Sequence, residues 1–451
     1  MSVTLIFGLL LQLAALVIVL RRVRSRILMF NGAILVVMLC IFHGLPEIAN
    51  VLYPGMNHNL VLVDQEAVDR WVLLVGFAIL LFSVVYTWTL KRNRKSRFES
   101  RAQIQVSLPV LLSMAIPAFI LVITSGLSNY YGTYGYWIGG LSHEFFLLLM
   151  VMCFVDLILL FPRRWTMFLL TVEILLFTIA GSRLYVIAVF IMTAGALARY
   201  GRPLKFRSLC IGFLLLATLT VLISSTRLYY GRETYLAPMG ERLSNITRSA
   251  VTAMGDSESD IKGDFIYRFD GNIFPTIVNE KFREGYPGVG LRPFANNFLS
   301  LTPSFLYRGK VDSALEDREE RWYTEIHFGM PLNYDLATTL FTVLFGYYGV
   351  TGLMFCAAGL GFVFAHLDRW VNSASTLLSL VTGLGLAYCC IITEQGVNVY
   401  FHTFRTAIVL LVVMLAASRF RLSAGKSQKS RSRSFLAGAH SRRSIGDEIT
   451  G

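Results

Sequence analysis

Long apolar runs alternate with short polar segments along almost the whole chain. The runs that predict membrane spans cover residues 3–20, 27–42, 71–90, 104–124, 142–161, 165–180, 184–198, 208–225, 338–365, 375–393 and 404–420. Most of these runs are close in length to the roughly 20 residues that a helix needs to cross about 30 Å of hydrocarbon. The run at 338–365 exceeds that length and predicts a tilted or kinked helix near Gly346, Gly349 and Gly352. The pattern predicts an all-α polytopic membrane protein with about 11 transmembrane helices.

The composition agrees with a membrane protein. Of 451 residues, 55% are hydrophobic and only 15% are charged, and the mean hydropathy is +0.59, values that soluble domains do not reach. The first run is followed by the basic segment RRVRSR at residues 21–26. A signal peptide carries its positive charges before the apolar core, so this run predicts a retained span.

The positive charges predict the orientation of the chain. They gather between spans in RRVRSR, in KRNRKSRFESR at residues 91–101, in Arg163–Arg164, in RYGRPLKFR at residues 199–207 and in the tail at 421–451. Basic segments of this kind face the cytoplasm, which puts the N-terminus outside and the C-terminus inside. The net charge of +13 therefore predicts contact with anionic lipid headgroups, and no nucleic-acid partner. The Ser/Arg-rich tail is predicted to be disordered.

The pattern divides the chain into four parts. Residues 1–225 hold spans one to eight, 226–337 form a large outer loop, 338–420 hold spans nine to 11, and 421–451 form the cytoplasmic tail. The loop carries 16 Asp and Glu against 13 Lys and Arg and is rich in aromatic residues. So many aromatic residues predict short helices packed over the outer face of the membrane, since disordered segments contain few.

An arginine interrupts the apolar pattern between the sixth and seventh runs. In TVEILLFTIAGSR, residues Gly181 and Ser182 predict a tight turn that leaves Arg183 at the outer end of a helical hairpin. One interpretation is an arginine that extends to the membrane interface. The other is an anion-binding arginine, and Glu173 in the same hairpin favours it because ionisable residues within spans mark functional sites.

The chain contains no motif of the common soluble enzymes. There is no P-loop, GxGxxG, HExxH or GxSxG sequence, and the six cysteines form no CxxC pair. From these absences we expect no metal site and no cofactor. What remains is a set of charged residues predicted to lie outside: Arg183, Arg227, Arg232, Arg268, Arg292, Arg308, Lys310, Arg318, Arg321, Glu325, His327, Asp335, Glu394 and Arg405.

This charged set suits one kind of chemistry. Arginines grip phosphate oxygens bidentately, aromatic rings stack on sugars, and carboxylates or a histidine can remove a proton from a hydroxyl. The alternative is that the charges form surface ion pairs that contribute little.

Four segments and their order resemble the Wzy-type polysaccharide repeat-unit polymerases, which include the O-antigen and enterobacterial common antigen polymerases. The segments are IAGSRLYVIAVF (179–190), LRPFANNFLSLTPSFLYRGK (291–310), ATTLFTVLFGYYGVTGLMF (337–355) and ITEQGVNVYFHTFR (392–405). The large loop between the eighth and ninth spans belongs to the same plan. Ligases that attach O-antigen to lipid A share that plan and are an alternative.

The resemblance implies a GT-C-like membrane glycosyltransferase of the bacterial inner membrane. Its substrates would be undecaprenyl-pyrophosphate-linked oligosaccharides, joined at the outer face into an O-antigen, capsule or exopolysaccharide. Membrane lipids, a chain-length regulator and a flippase are the partners it implies. A polysaccharide or lipid transporter is a further alternative, which would show internal repeats, broken helices and charges near the membrane midplane.

The implied site divides into two groups of residues. Arg183, Arg227, Arg232, Arg292 and Arg405 are expected to bind the pyrophosphate and the substrate. Glu325, His327 and Asp335 are expected to supply the catalytic base, with Glu394 in reserve. For His327 the other interpretation is a histidine that serves packing alone.

Overall fold

The computed structural model describes residues 2–53, 63–92, 163–179, 183–199, 205–230, 239–255, 270–291, 339–374 and 377–393, with short pieces at 147–158, 295, 327 and 397–412. This part of the chain is mainly helical and contains no strand, in agreement with the all-α prediction. Its helices are α1 (Val3–Val23), α2 (Asn31–Leu52), α3 (Gln65–Arg92), α4 (Arg163–Ile179), α5 (Arg183–Arg199), α6 (Phe206–Tyr230), α7 (Met239–Gly255), α8 (Ile273–Arg283), α9 (Leu340–Ser373) and α10 (Leu377–Ile391).

Four of these helices are long and apolar enough to cross a membrane. They are α1, α2, α3 and α9, and shorter apolar stretches lie in α5, α6 and α10. The predicted span at 104–124, half of the span at 142–161 and most of the span at 404–420 lie outside the described residues. The total of 11 spans and their orientation therefore stay predictions.

Helix α3 packs closely against α1 on one side and α9 on the other, and α2 contacts all three and α10. Gly8 and Gly76 allow α1 and α3 to approach, since a β-carbon on Gly76 would lie 2.8 Å from the carbonyl oxygen of Gly8. Small residues at a helix crossing bring two backbones together in this way in membrane proteins. Trp71, Phe82 and Phe345 fill the space between α3 and α9 and are fully buried.

The two ends of this bundle differ in chemistry. At the basic end, Arg22 and Arg369 donate hydrogen bonds to the carbonyl oxygens of Leu90 and Thr89, in the last turn of α3. At the loop end, the backbone N–H of Gly271 donates to the carbonyl oxygen of Phe42, which joins the large loop to α2. The two arginines at the basic end also interact favourably with the dipole of α3, whose C-terminus they contact.

Helix α2 is longer than its sequence predicts. The apolar run ends at residue 42, yet the helix continues through Pro46 to Leu52. The added turns bury His43 and Glu47 completely, because the loop packs against them in place of water. The predicted span 27–42 therefore ends ten residues before the helix does.

Two other predictions about shape are confirmed. Helix α9 is broken at Tyr348 and Gly349, where the backbone leaves helical geometry and Gly349 has a φ of 64°. Within the large loop, α7 and α8 are short helices. Helix α7 packs against α6 and α4, and α8 packs against α3 and α9.

Candidate functional site

A buried polar cluster joins the large loop to the membrane helices, and we name it the loop-end node. Its members are His43 and Glu47 on α2, Asn272 at the start of α8 and Thr339 at the start of α9. All four are 0% exposed. Asn272 donates from Nδ2 to Glu47 Oε1 at 2.8 Å and to the carbonyl oxygen of His43 at 3.1 Å. The node thus connects positions that are more than 200 residues apart in the chain.

The direction of these bonds assigns the histidine tautomer. Since Asn272 gives its amide hydrogens to acceptors, its Oδ1 must accept, and His43 Nδ1 lies 2.8 Å from it. His43 therefore carries its proton on Nδ1. The lone pair on Nε2 then accepts from the Thr339 hydroxyl at 3.0 Å. The result is a directed chain of hydrogen bonds from Thr339 through His43 and Asn272 to Glu47.

Two helices begin inside this node. Asn272 is the N-cap of α8, and Thr339 is the N-cap of α9, where its Oγ1 accepts from the N–H of Thr342. His43 lies nine residues before the end of α2, about 13 Å below it at 1.5 Å per residue. The loop therefore reaches well below the end of α2, and the N-cap of α8 bonds directly to the Glu47 carboxyl group.

The node continues toward the N-terminus through amides and carboxylates. Glu47 Oε2 accepts from Asn50 at 3.3 Å and from Gln65 at 3.5 Å, and Gln65 also donates to Asp69 at 3.0 Å. The Ser2 hydroxyl donates to the other oxygen of Asp69. Among the described residues no lysine or arginine forms an ion pair with Glu47, so amides alone hold this carboxylate.

A second contact between loop and membrane helices forms at the break in α9. The break leaves the carbonyl oxygens of Gly346 and Tyr347 without their helical partners. The N–H groups of Val289 and Gly290 donate to them at 3.0 and 3.1 Å. We name residues 287–291 the docked arm. A β-carbon on Gly288 would lie 2.2 Å from the Tyr347 oxygen, so the arm fits only with glycine there.

His327 is attached to the docked arm. Its Nε2 donates to the carbonyl oxygen of Pro287 at 2.9 Å, and the arm leads directly into Arg292. The structure therefore brings one predicted catalytic residue to the segment that precedes one predicted binding residue. The ring is partly exposed.

A rim of paired charges lies beside the arm on α8. Lys281 bonds to Glu284 at 2.7 Å and lies over the ring of Tyr286, with Nζ 5.2 Å from its centroid. The hydrogen bond to Glu284 raises the pKa of Lys281, which stays charged. Arg70 on α3 pairs with Glu280 at 3.3 Å and fastens α8 to the bundle.

The other predicted site residues are only partly described. Arg183 is the first residue of α5 and Arg227 lies near the end of α6. Because α5 ends at the basic end and Tyr185 stacks on Tyr388 of α10, Arg183 begins its helix toward the loop end. Arg405 is half-buried in a helical piece after Thr403. Arg232, Arg292, Glu325, Asp335 and Glu394 lie outside the described residues.

A second buried cluster lies at the basic end, and we name it the basic-end cluster. Asp368 on α9 accepts from the N–H groups of Asn31 and Gly32 at 2.9 and 2.8 Å and from the Tyr86 hydroxyl at 2.8 Å. It therefore caps the N-terminus of α2. Arg199 on α5 donates to Asn31 Oδ1 at 3.0 Å, so Asn31 bridges a buried cation and a buried anion.

The sequence offered partial signals for these two clusters. His43 and Glu47 follow the apolar run 27–42 directly, and the apolar residues Leu45, Ile48 and Val51 among them were a signal that the helix continues. Arg199 opens the segment RYGRPLKFR, which predicts an exposed residue, whereas the structure leaves it only 6% exposed. No group of three His, Cys, Asp or Glu side chains that could hold a metal occurs in the described ranges.

Comparison with known proteins identifies no relative of the chain. No family model, no curated protein and no solved structure matches it.

Proposed function

We propose that the protein is a membrane glycosyltransferase that joins lipid-pyrophosphate-linked oligosaccharide units into a surface polysaccharide at the outer face of the bacterial inner membrane. The acceptor hydroxyl attacks the anomeric carbon of the donor sugar. The bond from that carbon to the pyrophosphate oxygen breaks, the lipid pyrophosphate leaves, and the hydroxyl proton passes to a base. This proposal follows the resemblance to O-antigen polymerases and needs neither nucleotide nor metal.

The docked arm is the observation that carries the proposal. It ties His327 to the segment that runs into Arg292, and these two are a candidate base and a candidate pyrophosphate ligand. A neutral histidine that donates from Nε2 has its lone pair on Nδ1, which is the nitrogen that accepts the proton. A positioned base of this kind contributes a rate factor of about 10² to 10⁴.

The helical hairpin of α4 and α5 supports the proposal from the membrane side. Charge develops on the pyrophosphate as the glycosidic bond breaks, and cations that bind this charge stabilise the transition state. Arg183 begins α5 toward the end of the bundle where the loop is docked. A lipid pyrophosphate at the membrane surface would approach the protein at this level.

One observation favours a second candidate, a lipid or polysaccharide transporter. Helix α9 is broken at Tyr348 and Gly349, and broken helices with buried termini are typical of secondary transporters. The polymerase is our first choice because the break is filled by the docked arm, through the N–H groups of Val289 and Gly290.

The proposal is tested in a strain in which the gene has been deleted and replaced by variants. Arg183→Ala and Arg292→Ala are expected to reach the membrane in normal amounts and to convert a ladder of polysaccharide chains into single repeats. Loss of a hydrogen bond to a charged group costs about 1.5–3 kcal/mol, so polymerisation should slow roughly 10- to 100-fold. Arg183→Lys should lose less, because a point charge replaces the bidentate fork.

The matched control is Arg207→Ala, an exposed arginine in the first turn of α6 at the basic end, which should leave the ladder normal. A normal ladder in both the Arg183 and Arg292 variants would reject the polymerase. Absence of surface polysaccharide with polymer kept on the carrier lipid would identify a ligase. Single lipid-linked units retained on the cytoplasmic side would identify the transporter.

A further inference from the structure

The hairpin of α4 and α5 contains a buried carboxyl group that the proposed reaction does not use. Glu173 on α4 is 0% exposed, and neither of its carboxyl oxygens has a hydrogen-bond partner among the described residues. Glu47 is equally buried, but its oxygens accept from Asn272, Asn50 and Gln65. The two glutamates are equally buried, but among the described residues only Glu47 has hydrogen-bond partners.

Aromatic rings stack at a level nearer the loop end than Glu173. Glu173 lies six residues before the end of α4, about 9 Å along the helix. Phe177, one turn nearer that end, stacks on Tyr185 of α5 at 5.7 Å between ring centroids. Tyr185 in turn stacks on Tyr388 of α10 at 6.2 Å. The stack therefore lies between α4, α5 and α10 at a level nearer the loop end than Glu173.

Two more polar side chains of this hairpin are buried without a partner in the described part. The hydroxyls of Thr166 on α4 and Thr193 on α5 make no hydrogen bond, and both residues are less than 5% exposed. Thr178 in the same hairpin satisfies its hydroxyl at the carbonyl oxygen of Ile174, at 2.8 Å. Thr166 lies seven residues from Glu173, on the same face of α4. The two helices therefore bury two further hydroxyls without a partner.

No charge in the neighbourhood neutralises Glu173 where the structure is described. The helices packed against α4 are α5 and α7. Their described charged or titratable side chains are Tyr185, Arg199, Glu241 and Arg248, and none of them bonds to Glu173; the side chains of Arg183 and Arg242 lie outside the description. A buried carboxylate without a partner is strongly unfavourable, whereas the neutral acid is tolerated.

We propose that Glu173 is a proton-binding site inside the α4–α5 hairpin, occupied by its proton in the conformation described. The carboxyl gives up its proton only when the aromatic stack opens or a cation enters. Proton binding is thereby coupled to the position of the hairpin whose second helix begins with Arg183, whatever reaction the protein catalyses.

The test uses dicyclohexylcarbodiimide, an apolar reagent that modifies carboxyl groups in their protonated form within apolar surroundings. Membranes that contain the full-length protein are treated, and its peptides are examined by mass spectrometry. We expect the adduct on the peptide with Glu173 and its loss in Glu173→Gln, while Glu47→Gln keeps it. An unmodified Glu173, or equal modification of Glu47 and Glu173, overturns the proposal.

A stability comparison gives the second measurement. Glutamine has the shape of the neutral acid, so Glu173→Gln should leave the unfolding temperature of the purified protein unchanged. Glu47→Gln should lower it, because an amide nitrogen then faces the amides of Asn272, Asn50 or Gln65. An equal fall in both variants would show that Glu173 is ionised and paired, against the proposal.

Discussion

The two buried polar clusters of this protein lie on the same two helices, α2 and α9, and have different structural roles. At the basic end, the start of α2 is capped by Asp368 from α9, and Arg199 supplies a cation. At the loop end, a later part of α2 meets the start of α9 through His43 and Thr339. The basic-end cluster joins membrane helices to one another, whereas the loop-end node joins them to the large loop.

The clusters also differ in how their charge is balanced. Asp368 receives two backbone N–H groups and a phenol hydroxyl and has Arg199 nearby. Glu47 receives only side-chain amides. Removing Asp368 leaves the buried Arg199 cation without a nearby opposite charge, and a buried charge without compensation costs more than a lost neutral hydrogen bond. The comparison therefore predicts a larger effect of mutation at the basic end.

Asp368→Ala should have the largest effect on stability. It leaves the N–H groups of Asn31 and Gly32 and the Tyr86 hydroxyl without an acceptor. It also removes the negative charge that Asn31 links to the Arg199 guanidinium. Each buried group left unsatisfied costs about 1–3 kcal/mol, so the loss should be about 3 kcal/mol or more. Thermal unfolding of the purified protein in detergent, together with the amount of folded protein in membranes, measures it.

The double variant Asp368→Asn with Arg199→Met tests whether charge is the cause. Removing both charges should cost less than the sum of the two single changes, because neither charge is left alone. If the stability losses of the two single variants simply add in the double variant, Asp368 and Arg199 do not interact, and charge does not stabilise the basic-end cluster.

Asn272→Ala should have an intermediate and more local effect. Asn272 bonds to His43 and to Glu47, and leaving these buried groups unsatisfied costs about 1–3 kcal/mol. The loop should then loosen from α2 while the membrane helices stay folded. Limited proteolysis from the outer face should cut the loop faster, with little change in the final unfolding temperature.

Asn279→Ala is the matched control for this change. Asn279 lies on the same helix, α8, on a partly exposed surface. Its substitution should leave the rate of proteolysis as it is in the unchanged protein. Equal acceleration in both variants would mean that α8 itself is destabilised and that the node has no special part in holding the loop.

Much of the helical architecture could be predicted from the sequence, since apolar length and charge placement are local properties of the chain. The run at 338–365 predicted the break in α9 because its glycines and its excess length are visible in sequence. The docked arm could not be predicted. Its fit depends on which carbonyl oxygens the break exposes. The close approach of Gly288 to the Tyr347 oxygen exists only in the folded chain.

The polar clusters escaped prediction for the same physical reason. Asn272 and His43 are 229 residues apart, and Asp368 and Asn31 are 337 apart. Hydrogen-bond partners at such distances leave no periodic signal in the apolar pattern. Arg199 shows the consequence, because its basic neighbours in sequence predict exposure and the fold buries it beside Asn31.

Arg70→Ala should give the smallest effect, and it sharpens the contrast between buried and exposed charges. Arg70 pairs with Glu66 at 2.6 Å and with Glu280 at 3.3 Å, and these side chains are partly exposed. Such pairs contribute about 0.2–1 kcal/mol and are screened by salt. A double-mutant cycle of Arg70→Ala with Glu280→Ala, followed by thermal unfolding, should show a coupling of that size that disappears at high salt. A coupling energy that persists at high salt would mean that water and ions do not reach the contact between α3 and α8. Buried charge would then hold the loop at the loop end as well.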